Sequence, residues 1–577
     1  MIMGEPALAG LSLERKVGQL FLIGYPGGGE LELGRRLAHR PFGNVILFSR
    51  NAAAPRELYA ALAGLRAAAS AAAGVPPLVA VDQEGGNVLR LREGLTPQPG
   101  AMAMAAAYEG GGIGLGEVEA MAEVSARELS ALGVNCNLAP VADVNVNPAN
   151  PVIGPRSFGE DPAKVAELAA AYARGLARGG VMACAKHFPG HGDTTVDSHL
   201  GLPTVQAGRD RLDAVELAPF RRLFAEGVPA VMGAHVRFPA VEPDGLPATL
   251  SRRAIQGLLR EELGFRGLFI TDCLEMKAVH ERYEEPALAA FAAGADLLCI
   301  SHSAELQDRA YDAILAALRE GRVPIARLDE AVGRILAAKA RLSAPAAGPD
   351  EALAALRRPE ALALSRRVSR ASLSPCALRL DDGAAARREG GRSANGRSAG
   401  GWLAEGGWLL DPVAASLTGA EDGDAGPSLG LALSRLGSAT RSVRYPLDPD
   451  ADERRAALAG LEAGLKAGDA VVFALYGMAA RPGQAALARE AAELCAERGA
   501  RLAFLSMRSP YDASACARAV LEAGRKGPLR GPAGYAPPFV CAYEYGAGAA
   551  EAAAEFLHGK LDANGVCPAG AARGAPA

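Results

Sequence analysis

The 577-residue sequence predicts an α/β protein in which an N-terminal (β/α)8 TIM barrel precedes a smaller αβα sandwich domain. Eight short apolar runs alternate with longer helical patterns over roughly the first 340 residues, the count and length typical of a barrel of parallel strands. Polar residues end several of these runs, and barrels carry their active sites at the C-terminal ends of their strands. A second strand and helix pattern returns near the C-terminus.

The runs predict eight barrel strands and the helices that connect them. The strands are Leu20–Tyr25, Asn44–Ser49, Leu78–Asp82, Val134–Leu138, Val181–Lys186, Ala230–His235, Gly267–Thr271 and Asp296–Ser301. The helices include Pro55–Ala72, Glu117–Leu132, Pro162–Arg178, Arg252–Leu263 and a final one near Leu328–Leu342. An open doubly wound sheet is the rival fold. It is disfavoured because no GxGxxG follows the first strand and because polar residues end many strands instead of lining one crevice.

The composition divides the chain into two domains. We predict the barrel over residues 1–342, a linker with a surface helix over 343–371, and the sandwich domain over 372–577. Residues 381–406 are rich in Gly, Ala, Arg and Ser, which predicts a mobile segment. The other predicted elements of the second domain are the strands Ala470–Leu475, Arg501–Ser506 and Phe539–Tyr543 and the helices Gln484–Arg498 and Ala549–His558.

Charge and cysteine content exclude several classes of function. The 61 Lys and Arg against 65 Asp and Glu give a formal net charge of −4, which argues against nucleic acid or an anionic membrane as a partner. No apolar segment is long enough to span a bilayer, and the N-terminus lacks the pattern of a signal peptide. Nine Cys without CxxC pairs predict free thiols and a cytoplasmic protein. The sequence does not distinguish a monomer from a homodimer.

Residues 181–203, VMACAKHFPGHGDTTVDSHLGLP, contain three of the eight His. Lys186 and His187 end the fifth predicted strand, where they are suited to bind hydroxyl groups. Asp197 and His199 stand two residues apart, so in an extended loop their side chains face the same way. The carboxylate would then orient the imidazole and raise its basicity, which gives an acid/base dyad. The alternative is a surface loop with an incidental Asp and His.

The same stretch also offers side chains of the types that bind zinc, which are His187, His191, Asp193 and His199. Pro189 and Gly190 interrupt it, so the helical spacing of an HExxH site is not available. We therefore predict neither a metal ion nor any other cofactor.

Asp272 ends the seventh predicted strand, where a carboxylate can act as a nucleophile, bind a substrate cation, or cap the next helix. In VDQEGGNVLRL, the Gly85-Gly86 pair permits a tight turn that brings Arg90 back towards Asp82. This pair could hold adjacent sugar hydroxyls or brace a loop. Arg156, in a Pro- and Gly-rich loop, could hold substrate or tie that loop to the next helix.

Together these segments resemble glycoside hydrolase family 3, in particular its β-N-acetylglucosaminidase branch. The matching segments are GQLFLIG, NVILFSRN, VDQEGGNVLRL, NCNLAPVADVNVNPANPVIGPRSFGED, KHFPGHGDTTVDSHLGLP, MGAHV and GFRGLFITDCLEMKAV. They run through essentially the whole first domain. The second domain is similar to the family's C-terminal αβα sandwich more loosely, through SMRSPYDAS and FVCAYEYGAGAAEAAAEFLHGKL.

The resemblance implies roles for the residues singled out above. Asp272 would be the nucleophile of a retaining exo-β-N-acetylglucosaminidase, and His199, oriented by Asp197, would be its acid/base. The sugar-binding residues would be Asp82, Arg90, Arg156, Lys186 and His187. The implied substrate is a small glycoside with terminal N-acetylglucosamine, such as a peptidoglycan fragment.

Other functions remain open on this reading. A His acid/base adds no second negative charge beside the intermediate, so phosphate could approach and make the chain a phosphorylase. A β-glucosidase and a sugar-binding protein without activity are further alternatives. The chain departs from the family at Asn87, where Arg is frequent, and at Cys273, where this branch commonly has a second Asp.

Overall fold

Eight parallel strands form the barrel in a computed structural model that describes residues 8–342, 345–346, 348–376, 401–413, 421, 428–526 and 537–570. In chain order, β1 to β8 are Phe21–Ile23, Asn44–Leu47, Leu78–Val81, Cys136–Asn137, Met182–Phe188, Ala230–Gly233, Leu268–Thr271 and Leu298–Ile300. From β1 to β7 each strand pairs with the next in sequence, and β1 also pairs with β8. The predicted barrel and its eight strands are therefore confirmed.

The ring closes between β7 and β8 through a short contact. Ile270 and Leu297 form an isolated parallel bridge, and the Thr271 N–H donates to the Leu297 carbonyl at 2.9 Å. All eight strands are buried along their full length, which is why they appear in the sequence as continuous apolar runs instead of alternating patterns. Their C-terminal ends meet at one face of the barrel.

The helices surround the barrel and then lead into the second domain. Up to residue 372 they are Leu13–Gln19, Glu30–His39, Pro55–Ala73, Ala101–Glu109, Leu115–Leu132, Pro162–Arg178, Arg209–Ala214, Ala218–Ala225, the π-helical Arg253–Glu262, Lys277–His280, Pro286–Ala293, Ala304–Arg319, Ile325–Lys339, Pro349–Ala355 and Pro359–Ser372. Later helices are Leu429–Arg435, Ala451–Glu462, Pro482–Arg498, Asp512–Lys526 and Ala547–His558. Within the described residues, no helix has the length and apolar character needed to cross a membrane.

Helix Pro162–Arg178 shows how local sequence sets these elements. The Asp161 carboxylate accepts from the backbone N–H groups of Ala163 and Lys164, so it caps the N-terminus, and Pro162 fits the first turn. Gly175 permits close packing, because a Cβ there would lie 2.1 Å from the Glu119 carbonyl oxygen. The helix therefore packs tightly on helix Leu115–Leu132 and ends just before β5.

The second domain contains one six-stranded sheet. Its strands are β9 Ser374–Cys376, β10 Gly407–Val413, β11 Thr440–Pro446, β12 Ala470–Leu475, β13 Arg501–Ser506 and β14 Phe539–Cys541, in the order β9-β14-β13-β12-β10-β11. All pairs are parallel except β9 with β14. Helices cover both faces of this sheet, since two separate buried clusters lie against its opposite sides.

Three strands of this sheet, β9 to β11, were not among the predicted ones. β9 has three residues, β11 is an edge strand with several exposed side chains, and both contain Pro, as does β10. Of the predicted mobile segment 381–406, residues 381–400 lie outside the described part of the chain. Residues 401–406 form a turn in which Leu403 is buried and its N–H donates to the Leu557 carbonyl at 2.8 Å.

Candidate active site

A cavity of about 540 Å3 opens at the C-terminal ends of the barrel strands. Its volume lies within the range of small-molecule binding sites. Seven of the eight residues selected from the sequence line it, namely Asp82, Arg90, Arg156, Lys186, His187, His199 and Asp272. The eighth, Asp197, contacts one of them. The structure thus brings all eight together.

Five charged side chains that line this cavity form a connected cluster. Lys186 Nζ lies 2.7 Å from Asp82 Oδ1 and 2.6 Å from Glu84 Oε1. Arg156 donates two hydrogen bonds to the Glu84 carboxylate, at 2.9 and 2.7 Å. Arg90 contacts Asp82 at 3.5 Å. Each of the two carboxylates thus contacts two of the three cations, so every buried charge in the cluster is paired.

The cluster holds each group in its charged form. Burial alone would raise the pKa of Asp82, but Lys186 and Arg90 attract its charge and lower that pKa. For Lys186, burial acts to lower the pKa, whereas Asp82 and Glu84 raise it. The Asp82 side chain is 15% exposed and that of Lys186 only 2%, so Asp82 is the better placed of the two to meet a substrate hydroxyl directly.

The turn after β3 brings these residues together. Gly85 and Gly86 have φ values of +102° and +60°, in the left-handed region that favours glycine. They connect two short strands, Gln83–Gly85 and Val88–Leu89, so the chain reverses between Glu84 and Arg90. The predicted tight turn and the predicted approach of Arg90 to Asp82 are confirmed.

His187 and His191 both depend on Asp143. The Asp143 carboxylate accepts from His187 Nδ1 at 2.7 Å and from the His191 backbone N–H at 2.6 Å. Because Nδ1 donates there, His187 keeps Nε2 for a ligand. His191 faces Thr194 and Ser198, at 2.9 and 3.0 Å, and burial next to His187 lowers its pKa to about 4. It is therefore a neutral brace for the loop.

Asp197 and His199 form the contact that the sequence predicts. Asp197 Oδ1 accepts from His199 Nδ1 at 2.7 Å and also from the His199 backbone N–H at 2.9 Å. The second bond makes an Asx turn, so the prediction of an extended loop is wrong although the pair is present. The His199 side chain is 31% exposed and Asp197 9%. The imidazole thus reaches the cavity while its partner stays behind it.

Asp272 lies directly beyond β7. Its Oδ1 accepts from the Cys273 backbone N–H at 2.7 Å. Burial alone would raise the pKa of Asp272, but the imidazoles of His235, His187 and His199 lower it below its ordinary value. The next helix starts at Lys277 with Met276 as its N-cap, so Asp272 does not cap it. An ionised carboxylate therefore faces the cavity.

Three functional candidates were missed at the level of sequence. Glu84 ties Arg156 to Lys186, Asp143 orients His187, and Glu421 lines the cavity from the second domain. Glu421 is held by Arg508, whose guanidinium donates to Oε1 at 2.7 and 3.0 Å. Glu84 and Asp143 stand in the motifs EGG and VADV, so a carboxylate in a loop that follows a strand could have identified both.

The His187, His191, Asp193 and His199 set does not converge as a metal site in the described residues. The grouping whose ligand atoms lie within 4.8 Å of one another is Cys273, Glu275 and His302. Glu275 already accepts from the backbone N–H groups of Ser301, His302 and Ser303 at 2.6–2.7 Å, and Arg50 contacts His302 at 3.1 Å. These contacts already occupy the carboxylate and imidazole, and a cationic guanidinium stands next to them.

The second domain reaches the loops that carry the site. Tyr511 OH lies 2.9 Å from Asn145 Nδ2, in the loop beyond β4. The Gly100 backbone N–H donates to Glu544 Oε2 at 2.6 Å, and a Cβ on Gly86 would lie 3.0 Å from the same oxygen. Glu544 thus packs directly against the turn that positions Glu84 and Arg90.

Glu544→Gln is expected to change how stability depends on pH. Burial raises the Glu544 pKa from 4.5 to about 7, opposed by the Gly100 N–H and by Arg92. Because the pKa of Glu544 is raised in the folded state, the stabilising effect of this carboxyl group is complete below pH 4.5 and is lost as pH rises through 7. In the variant, the glutamine amide oxygen can still accept from the Gly100 N–H. The amide does not titrate, so the variant has no such loss of stability. At pH 8 the free energy of unfolding of the variant should exceed that of the wild type by on the order of 3 kcal/mol.

Urea unfolding of both proteins at pH 5, 6, 7 and 8 measures this difference. The two unfolding free energies should be closest at pH 5 and diverge as pH rises, since every other titrating group is common to both proteins. Parallel pH profiles for the two proteins would contradict the assignment of the pH dependence to Glu544.

The barrel that carries this cavity is similar to domains of known proteins. The profile of the "Glycosyl hydrolase family 3 N terminal domain" matches residues 12–338. Beta-hexosaminidase A of Pseudoalteromonas piscicida is 35% identical over 334 residues, which are 54% of this chain and 55% of that protein. The aligned part thus spans little more than half of that relative. A Beta-hexosaminidase of Stenotrophomonas maltophilia is 40% identical over 300 residues, 51% of this chain and 87% of that protein.

A solved structure is similar over both domains. The glycoside hydrolase family 3 beta-N-acetylglucosaminidase from Paenibacillus sp. str. FPU-7 superposes with a TM-score of 0.81 and 36% identity. The superposition covers 97% of this chain and 99% of that one. The similarity therefore includes the sandwich domain as well as the barrel.

Proposed function

Because this chain belongs to glycosyl hydrolase family 3, we propose that it is a retaining exo-β-N-acetylglucosaminidase. The observation that carries the proposal is that an ionised Asp272 and the Asp197–His199 pair meet at one cavity that is also lined by the charged cluster around Lys186. A nucleophile, a proton donor and hydroxyl-binding groups are the three parts that retaining glycoside hydrolysis requires.

In the first step, the Asp272 carboxylate attacks the anomeric carbon of the bound sugar. The glycosidic bond breaks, and the leaving oxygen takes a proton from His199 Nε2. Asp197 accepts from Nδ1, so it stabilises the imidazolium that holds this proton. The product of the step is an ester between the sugar and Asp272, and the aglycone leaves.

In the second step, neutral His199 takes a proton from water, and the resulting nucleophile attacks the same carbon. Asp272 leaves as a carboxylate. The neighbouring imidazoles that lower its pKa also stabilise the departing charge. Two inversions at one carbon give net retention.

The substrate class we propose is a small glycoside that ends in β-linked N-acetylglucosamine, such as a peptidoglycan fragment. The charged cluster supports a polyhydroxylated ligand, because carboxylate, ammonium and guanidinium groups bind adjacent hydroxyls. We place the protein in the cytoplasm, a proposal supported by nine cysteines that all carry free thiols.

Turnover of p-nitrophenyl N-acetyl-β-glucosaminide, with products resolved by NMR, tests the proposal. We expect free N-acetylglucosamine to appear first as the β-anomer. The matched control is p-nitrophenyl β-glucoside, for which kcat/KM should be at least about 100-fold lower. Equal turnover of the two substrates would favour a β-glucosidase, and first formation of the α-anomer would contradict a retaining mechanism.

A phosphorylase is the second candidate, because the general acid/base is an imidazole. His199 adds no negative charge that would repel phosphate from the glycosyl-enzyme. Running the same assay in phosphate buffer and in a phosphate-free buffer distinguishes the two activities. N-acetylglucosamine 1-phosphate in the phosphate reaction identifies a phosphorylase, whereas free sugar alone in both buffers identifies a hydrolase.

A further inference from the structure

Two cysteine side chains meet in the wall of the cavity beside the nucleophile. Cys273 follows Asp272, Cys299 is the central residue of β8, and both line the cavity. The Leu274 N–H donates to the Cys299 carbonyl at 2.9 Å, so the two backbone segments run side by side. Cys273 Sγ contacts Glu275 Oε2 at 3.5 Å, the Ser301 backbone N–H donates to the same oxygen at 2.6 Å, and Ser301 Oγ lies 3.3 Å from Cys299 Sγ, so both thiols belong to one set of contacts. They therefore form a pair and not two isolated thiols.

The two thiols differ in exposure. Cys273 is partly exposed, whereas Cys299 and the other seven cysteines are buried. The neighbouring Cys273 thiol, together with burial, raises the Cys299 pKa well above that of a free thiol. Cys299 Sγ also lies 3.3 Å from Ser301 Oγ. A solvent-borne reagent thus meets Cys273 first, with a protonated Cys299 thiol next to it.

We propose that Cys273 and Cys299 are an oxidation-sensitive dithiol, which hydrogen peroxide converts to a disulfide that stops turnover at this site. The effect on turnover rests on the proposed function, whereas formation of the disulfide does not.

The chemistry needs no component besides peroxide. The Cys273 thiolate attacks one peroxide oxygen, an S–O bond forms, the O–O bond breaks, and one water leaves after protonation. The Cys299 sulfur then attacks the sulfenic sulfur, an S–S bond forms, the S–O bond breaks, and a second water leaves. The two thiols lose two electrons and two protons in total, and peroxide is reduced to two waters.

The position of Cys273 explains why the disulfide would stop turnover. Its N–H donates to Asp272 Oδ1 at 2.7 Å, and its carbonyl oxygen lies 3.0 Å from His235 Nε2. A disulfide requires a sulfur–sulfur distance of about 2.05 Å, so Cys273 must move towards β8. That movement displaces the backbone group that orients the nucleophile and also the Sγ contact with Glu275.

Intact mass spectrometry and activity of the full-length protein, before and after peroxide, test the proposal. The wild type should lose two hydrogens, yield a peptide pair linked through Cys273 and Cys299, and lose at least about tenfold in turnover. Dithiothreitol should restore both mass and turnover. Cys495→Ser, a buried thiol in the second domain, is the matched control and should behave as the wild type does.

The single variants separate the two thiols. Cys299→Ser should gain oxygen on Cys273 and form no disulfide, and Cys273→Ser should form no disulfide and gain no oxygen on its remaining thiols while folded. Wild-type protein that gains oxygen on Cys273 without forming the disulfide would overturn the proposal, as would a loss of turnover after peroxide that is equal in Cys273→Ser and the wild type. The mass change is measured without substrate, so it tests the dithiol even if the proposed glycosidase activity is wrong.

Discussion

Asp272→Ala should lower turnover of p-nitrophenyl N-acetyl-β-glucosaminide by on the order of 10⁴-fold or more. The variant has no carboxylate to form the glycosyl ester, and the three imidazoles that face Asp272 lose the negative charge they surround. Asp272 does not cap a helix, and β7 ends one residue before it. The substitution should therefore lower turnover without lowering the stability of the fold. Steady-state kinetics and thermal unfolding, measured on the same preparation, check this.

Azide provides the decisive measurement for this variant. It is small enough to enter the space left by the carboxylate and should attack the anomeric carbon from the same face. The expected product is the α-glycosyl azide, formed in a single inversion, with partial recovery of rate. Asp210→Ala, at an exposed position in helix Arg209–Ala214, is the control and should keep full activity. Undiminished turnover in Asp272→Ala would refute the nucleophile assignment, and tight sugar binding with no turnover in the wild type would favour a sugar-binding protein.

The barrel could be predicted because its strands are buried on both faces. A run such as Leu78–Val81 is apolar at every position, and helices with clear capping and stop signals separate it from its neighbours. Of the second-domain strands that escaped prediction, β10 is mostly buried, but Asp411 and Pro412 interrupt its apolar run, whereas β11 lacks this burial. β11 is an edge strand whose exposed Arg and Ser residues give no continuous apolar signal.

Residues of the candidate site could be predicted where they are neighbours in the sequence or stand at the ends of strands. Asp197 and His199 are two residues apart, and Asp82, Lys186 and Asp272 each end or follow a strand of one barrel. Contacts that depend on how distant segments fold together leave no such local signal. Glu421 and Glu544 reach the barrel only because the second domain packs against its active-site face.

The loop that carries Asp197 and His199 differs from its predicted conformation. Contact between Asp197 and His199 was expected from an extended loop, but the same carboxylate oxygen also accepts the His199 backbone N–H and so bends the chain. His191 then holds the neighbouring Ser198 at 3.0 Å. The loop is thus shaped by polar side chains that bind its own backbone, which periodicity of apolar residues does not report.

His199→Ala should lower turnover by roughly 10²- to 10⁴-fold, with a loss that depends on the leaving group. Departure of a poor leaving group, such as an alkyl or sugar alkoxide, needs the proton on Nε2. p-Nitrophenolate leaves without one. For the aryl substrate the slow step should therefore become attack of water on the glycosyl-enzyme, so kcat and KM should fall together and a burst of p-nitrophenol should appear.

Azide again separates this role from a structural one, because it needs no base to attack the glycosyl-enzyme. In His199→Ala it should accelerate turnover of the aryl substrate and give the β-glycosyl azide, the opposite anomer from that expected with Asp272→Ala. Asp193→Ala changes a carboxylate of the same loop that contacts Arg211 at 3.3 Å, and it should leave the leaving-group dependence unaltered. An equal loss for aryl and alkyl glycosides in His199→Ala, with no response to azide, would mean that the imidazole only supports the loop. Opposite anomers from the two variants would assign the nucleophile to Asp272 and the proton transfer to His199, because each product reports which of the two inversions remains.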